Sequence, residues 1–223
     1  MFAVIFEVQP KPERWDEYLD LAKLLKPELE RIDGFIDNER FKSRRTEGRL
    51  LSLSTWRDEK AVVRWRTHAQ HHGVQEKGRF AVFADYHLRV GEVTADSAAR
   101  EALARQRLDE TETGAAKAVT ISEVPPHDGT ALTDLAASLA LPVGSSDLVR
   151  SADLVDHEAF ESIYNPGKVL LLASWRQGEA AARWQPRAVA GLRHRQVRVV
   201  RDYGMRDRRE APQYYPEVAR AAR

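Results

Sequence analysis

Trp65, His68, His71 and His72 crowd one short stretch of the chain, and Arg79 and Tyr86 follow it. At helical pitch His68 and His72 share a face with Trp65. A neutral imidazole can take a proton from a phenol or hydroquinone, which makes His72 the candidate base. A rigid indole stacks on planar molecules, so Trp65, with His68 beside it, is a candidate substrate contact. Arg79 and Tyr86 offer a fixed cation and a phenol donor to a carbonyl or developing oxyanion. Asn38 is a further pocket candidate. His68, His72 and Glu76 also have the spacing of metal ligands, but Gly73 interrupts the helix and no distant ligand is identifiable, so no metal is expected. The competing explanation for the histidines is a solvated cluster at a fraying helix end, and for Trp65 a place in the scaffold.

The elements that would position these residues can be read from periodicity. Phe2, Val4, Phe6 and Val8 alternate as one face of a strand that Pro10 and Pro12 stop. Apolar residues from Trp15 to Leu29 recur at helical spacing, predicting a helix over Glu13–Arg31 that contains Pro27 and ends at Gly34. Phe35–Arg45 and Leu50–Trp56 form a hairpin around Gly48, Asp58–His72 a second helix capped by Asp58, and Phe80–Val93 a closing strand. Strand, helix, strand, strand, helix, strand is the ferredoxin-like order, a four-stranded sheet covered on one face by two helices.

The same unit then recurs. Gly48-Arg49-Leu50-Leu51-Ser52-Leu53-Ser54-Thr55-Trp56-Arg57 reappears without a gap as Gly167-Lys168-Val169-Leu170-Leu171-Leu172-Ala173-Ser174-Trp175-Arg176, and Trp65 is answered by Trp184. Ala3-Val4 and Glu7-Val8 are matched with Ala118-Val119 and Glu123-Val124, and Asp85-Tyr86 with Asp202-Tyr203. The stretch Gln185–Gly191, which answers the histidine cluster, contains no histidine. The shared tryptophans therefore look like scaffold, and the unshared histidines look like chemistry. The expected fold is α+β, two tandem ferredoxin-like βαββαβ units packing sheet to sheet as a dimeric α+β barrel, each sheet covering the other's bare face. The expected boundaries are residues 1–94, a connecting helix or linker over 95–114 ended by Gly114, a degenerate second unit over 115–206, and an irregular tail over 207–223.

Composition narrows the function. With 35 basic and 34 acidic residues among 223, a phosphate-tracking surface is not the main purpose, so no nucleic-acid partner is expected. The absence of cysteine excludes disulfides, thiolate nucleophiles and thiolate-held clusters. Met1–Pro10 has neither a basic leader nor a span of apolar residues, so no membrane association is expected and the location is cytoplasmic by default. Edges left by the barrel would let two chains associate as a homodimer.

Phe2–Val93 resembles the antibiotic biosynthesis monooxygenase domain of the dimeric α+β barrel superfamily, and 117–206 resembles it less closely. The residues that carry the likeness are the alternating first strand, Asp33-Gly34-Phe35, Ser54-Thr55-Trp56-Arg57, Trp65, the segment His72–Arg79, and Asp85-Tyr86. The resemblance implies a cavity between sheet and helices and cofactor-independent oxidation of a small aromatic, quinol or polyketide-like molecule. His72 would create the electron-rich anion that reacts with oxygen, with Trp65, His68, Arg79, Tyr86 and Asn38 shaping the pocket. A sister group degrades haem using a first-strand Asn and a His downstream of its Trp. Here the first strand lacks Asn and Gln75 stands at the histidine's place, which disfavours haem. The alternative is a non-catalytic module that binds a small hydrophobic ligand.

Overall fold

The computed structural model describes residues 1–126, 134–143 and 152–212. In the first half, β1 (Phe2–Pro10), α1 (Trp15–Glu30), β2 (Phe35–Ser43), β3 (Leu50–Trp56), α2 (Glu59–Thr67), α3 (Ala69–Lys77) and β4 (Phe83–Asp96) follow in order. The second half contributes β5 (Ala118–Val124), a single turn α4 (Leu135–Ser138), β6 (Leu154–Ser162), β7 (Val169–Trp175), α5 (Gly178–Arg183) and β8 (Arg193–Gly204). Among the described residues each half thus contributes four strands together with helical segments.

The eight strands close into one barrel in the order β1-β3-β2-β6-β7-β5-β8-β4. The two sheets face each other and also join along two seams, β2 with β6 and β4 with β8. One chain therefore completes the barrel by itself, with each of the eight described strands paired on both sides. Closure also explains why β1 is buried on both faces. Phe2 and Val8 turn toward the helices, while Ala3 and Ile5 join Phe41, Leu51, Phe160, Leu170 and Val197 in a core that fills the barrel.

Registers confirm the repeat and correct two of its anchors. Trp56 pairs with Phe2 and Trp175 with Ala118, so β1 and β5 match Phe2 with Ala118, one position away from the match made on Ala3-Val4 and Ala118-Val119. Glu7 and Glu123 are true counterparts, facing Leu51 and Leu170. Ile5 pairs with Arg89 and Ile121 with Arg195, which makes Arg195 the counterpart of Arg89. Tyr203 is accordingly not the counterpart of Tyr86. The resemblance of the two Asp-Tyr pairs is coincidental, because hydrogen-bond register and not local identity determines which residues occupy equivalent places.

Each seam is centred on a residue facing its own counterpart. Glu92 meets Arg198 at 2.5 Å, and Lys42 meets Glu161 at 3.6 Å. Identical copies would place like charges there; the diverged copies place opposite ones.

Trp56 and Trp175 are fully buried, and each indole N–H is satisfied at 2.9 Å, by Ser54 Oγ and Thr120 Oγ1 respectively. Gly34 has φ 92°, and an added Cβ would come within 2.6 Å of Ala61, so the turn after α1 needs glycine for both its conformation and its contact with α2.

Three expectations fail. The second helix is two helices: Asp58 caps α2 through the Ala61 N–H at 2.8 Å, but His68 is extended (φ −60°, ψ 125°). The His71 ring bonds the Trp65 carbonyl, a side chain entering the helical ladder at the break. α3 then runs through Gly73 and ends in a π-helical turn, Gly78–Val82, before β4 begins. The predicted 95–114 helix is absent, since β4 continues to Asp96 and the following chain is extended and irregular. Glu92 is 1% exposed at the seam and takes the Gln106 and Arg107 N–H groups at 2.5 and 3.2 Å, which a helix would have spent internally. The expected irregular tail is seen through residue 212, and 213–223 lie outside the described residues. No helix among the described residues is long and apolar enough to cross a membrane.

Candidate active site

Alternate residues of each strand point into the barrel, apolar at mid-height and polar near the ends. At one end Glu7 of β1, Arg89 of β4, Glu158 of β6 and Ser174 of β7 are all buried. Arg89 reaches Glu7 at 2.5 Å and crosses the interior to Ser174 Oγ at 2.7 Å. Arg49, preceding β3, bonds the other Glu7 oxygen at 2.5 Å and lies 3.6 Å from Glu158. At the rim His87 of β4 places Nε2 2.6 Å from Asp202 of β8 and Nδ1 3.6 Å from Glu7. These groups line a cavity of about 400 Å³, the first mouth, together with His157, Leu172 and the chain at 113–116 and 203–207. That size falls within the ordinary range for small-molecule sites, about 300–1,000 Å³.

The network sets the charges. Burial opposes ionisation of Glu7, but Arg89, His87 and Arg49 overcome it and hold its carboxyl well below the usual range. Burial likewise disfavours a charged His87, yet its contacts with Asp202 and Glu7 win and raise its pKa. The Tyr203 phenol at the same mouth is pushed up to about 12 by burial. The far wall is held by Glu210, whose carboxylate accepts from the Asp202, Glu112 and Thr113 N–H groups and the Thr111 hydroxyl at 2.6–2.9 Å.

The other end repeats the arrangement. Arg195 and Lys168 hold Glu123, Lys168 also pairs with Glu39, and Arg195 reaches Thr55 Oγ1 at 3.0 Å. These are counterparts of Arg89, Arg49, Glu7, Glu158 and Ser174. Arg195, Lys168, Glu123 and Glu39 line a second mouth of about 300 Å³. Asp202 pairs with Arg89 and Asp96 with Arg195, so Asp96 answers Asp202. Arg193 takes the place of His87, since it faces Glu123 as His87 faces Glu7, and it binds Asp96 at 2.7 Å.

The residues singled out from sequence are dispersed. Tyr86 lines the first mouth and its hydroxyl accepts from Arg208. Asn38 lines the second, donating to Leu53 O at 3.0 Å and Ser52 Oγ at 3.1 Å. Trp65 lies on the helical layer, stacked on His71 at 4.0 Å between ring centres and on His68 at 5.8 Å. Burial lowers the His71 pKa to about 4, so that ring is neutral near pH 7. His72 sits 3.9 Å from Glu76, and Arg79 lies over Phe80 at 5.1 Å. None of Trp65, His68, His72 or Arg79 lines either mouth. Among the described residues no group of three or more His, Asp or Glu is arranged to hold a metal.

Sequence reasoning does not single out Glu7, Arg49, Arg89, Glu158 and His87, which the structure brings together at the first mouth. Their signal is a charged side chain at an inward strand position, or for Arg49 just before a strand, with a charged counterpart in the second copy.

Residues 1–77 match the family described as antibiotic biosynthesis monooxygenase. Jasmonate monooxygenase ABM of Pyricularia oryzae is 46% identical over 225 residues, covering 98% of this chain and 100% of that protein. The uncharacterized protein YqjZ of Bacillus subtilis is 32% identical over 92 residues, 41% of this chain and 78% of its own. Among solved structures, aldoxime dehydratase in complex with butyraldoxime aligns with a TM-score of 0.55 over 89% of this chain and 78% of that one, at 12% identity, a likeness of fold alone.

Proposed function

Because the chain belongs to the antibiotic biosynthesis monooxygenase family, we propose that it is a monooxygenase acting on a small, oxygenated hydrophobic molecule bound at the first mouth. The observation that carries this reading is the 46% identity to a jasmonate monooxygenase across 98% of the chain. The mouth is assembled from both copies, with Glu7, His87 and Arg89 from one and Glu158, Ser174 and Asp202 from the other. Similarity along the whole length therefore covers all of its walls.

A jasmonate-type cyclopentanone and an aromatic quinol share the feature the mouth suits, a carbonyl or hydroxyl beside a removable hydrogen on a compact apolar frame. Two electron balances separate the chemistries. In a cofactor-independent route the substrate supplies all four electrons that O₂ takes up: a CH₂ beside a carbonyl loses two hydrogens, one oxygen atom becomes the new carbonyl and the other leaves as water. Conversion of C–H to C–OH with release of water needs two further electrons from a reductant such as a reduced nicotinamide.

The test incubates the purified chain under ¹⁸O₂ with jasmonate and with a panel of hydroquinones, with and without NADPH. Oxygen uptake and product mass are followed. The expected result is one ¹⁸O atom in the product for each O₂ consumed. Binding of these compounds without oxygen uptake under either condition would instead make the chain a ligand-binding module, and a Soret band on haem titration would overturn the cofactor-free reading.

A further inference from the structure

We infer that His87 is the acid–base residue of the first mouth, moving the substrate's proton through Nδ1 while Asp202 holds the ring through Nε2. The inference rests on the monooxygenase reading and assigns that site its proton carrier.

The first argument is geometric. Asp202 Oδ1 lies 2.6 Å from Nε2, and a carboxylate there fixes Nε2 as the N–H donor, leaving Nδ1 to exchange protons. Nδ1 stands 3.6 Å from Glu7 Oε2, beyond direct bonding distance, and the side chain is 41% exposed at the mouth. The charged groups around the ring are Asp202 from β8, Glu7 from β1 and Arg89 on its own strand, with Arg49 and Glu158 next in the network. Asp202, bonded to the ring, and Glu7, close enough for its charge to act, stabilise the imidazolium formed when Nδ1 takes a proton.

The second argument is the repeat. The carboxylates, the cations that pair with them, the bridging hydroxyls and the rim aspartates all have counterparts at the second mouth. At His87 the counterpart is Arg193. Both side chains can satisfy a rim aspartate, so what the fold needs there is an N–H donor. Arginine does not release its proton near neutral pH, whereas histidine does. The difference between the mouths is therefore the capacity to give and take a proton.

In the reaction neutral His87 accepts the proton from the substrate's C–H or O–H at Nδ1. In the cofactor-independent route the resulting carbanion or phenolate gives its electron pair to O₂ through carbon, forming the C–O bond, and the imidazolium protonates the outer peroxide oxygen. Neutral His87 then takes the second hydrogen of that carbon as the O–O bond breaks to leave the carbonyl, and the departing hydroxide takes that proton to form water. No proton is gained or lost by the enzyme over the cycle.

The test compares His87→Gln and His87→Arg with the parent chain on whichever substrate shows ¹⁸O incorporation, together with an NMR titration of the imidazole nitrogens. His87→Arg copies the second mouth and keeps a cation for Asp202, so loss of activity in that variant cannot come from loss of the ion pair. The expected result is a fall in kcat of about 10²–10⁴-fold in both variants, the usual contribution of a positioned acid–base group. The pH limb that coincides with the His87 titration in the parent should disappear. Turnover and pH profile unchanged in His87→Gln would overturn the assignment while leaving the monooxygenase reading intact. If no substrate is oxidised by the parent chain, both fall together.

Discussion

The two mouths of the barrel hold matching networks around Glu7 and Glu123, yet one rim carries His87 beside its aspartate and the other Arg193. What is repeated is what closing the barrel requires. A carboxylate at an inward position near the barrel end needs guanidinium or ammonium partners and a hydroxyl across the interior, and both ends supply them from the same strand positions. What is not repeated is free to serve chemistry. The seams follow a related logic, because a residue on the pseudo-twofold axis meets its own counterpart and must diverge from it to make an ion pair, as Glu92 and Arg198 have done.

The comparison breaks most severely if one carboxylate is removed. Glu7→Ala leaves Arg89, 3% exposed, with an uncompensated buried charge, and Glu123→Ala does the same to Arg195 at 1%. Each variant is expected to lose about 3–5 kcal/mol of stability, as for other broken buried pairs. Urea denaturation of both variants checks this. Similar losses would establish the two networks as equivalent supports, and a loss confined to one mouth would end the claim that the repeat carries the scaffold.

How much of this was legible in the sequence depends on where each residue's partners lie. β1, the β2–β3 hairpin and the buried pair Trp56 and Trp175 could be read because their alternation and their repetition are local signals. The helix break at His68 and the extended chain after Asp96 could not be read. Both are decided by partners elsewhere, the Trp65 carbonyl taken by the His71 ring and the Glu92 carboxylate that collects two backbone N–H groups. The mouths were hidden for the same reason. Glu7, Arg49, Arg89 and Glu158 each look like an ordinary surface charge until barrel closure brings them together. Glu7 and Glu123 stand out as anchors of the repeat, but nothing local marks their charges as buried and paired. The cluster at His68, His71 and His72 drew attention from the isolated His87, although density of histidine along the chain says little about which ring faces a cavity.

A smaller effect would sharpen the contrast at the far wall of the first mouth. Glu210 gathers three backbone N–H groups and a hydroxyl, tying the chain at 111–113 to β8 beside Asp202. Glu210→Ala is expected to cost about 1 kcal/mol, the net contribution of ordinary hydrogen bonds whose donors are part-buried or exposed and can turn to water. It should also raise hydrogen exchange at the Glu112, Thr113 and Asp202 amides, while amides around the second mouth stay protected. Exchange rising equally at both mouths would mean that the carboxylate supports the barrel as a whole.

The smallest effect is a pH dependence that belongs to one mouth. The folded-state pKa of His87 is raised, so its ion pairs with Asp202 and Glu7 contribute fully below the free histidine value of about 6.5 and fade as pH climbs through the raised value. Arg193 keeps its charge throughout that window, so the second mouth contributes no such change. Partial exposure and solvent screening keep the His87 contribution well below that of a buried pair. Denaturation midpoints taken at about pH 6 and pH 9 should therefore fall more in the parent chain than in His87→Arg, which fixes a cation at the first rim. On the acid side both chains should weaken alike as pH falls below the usual carboxylate range and Glu7, held low in the folded state, takes up its proton. An alkaline loss of the same size in His87→Arg would place the titrating group somewhere other than the first mouth.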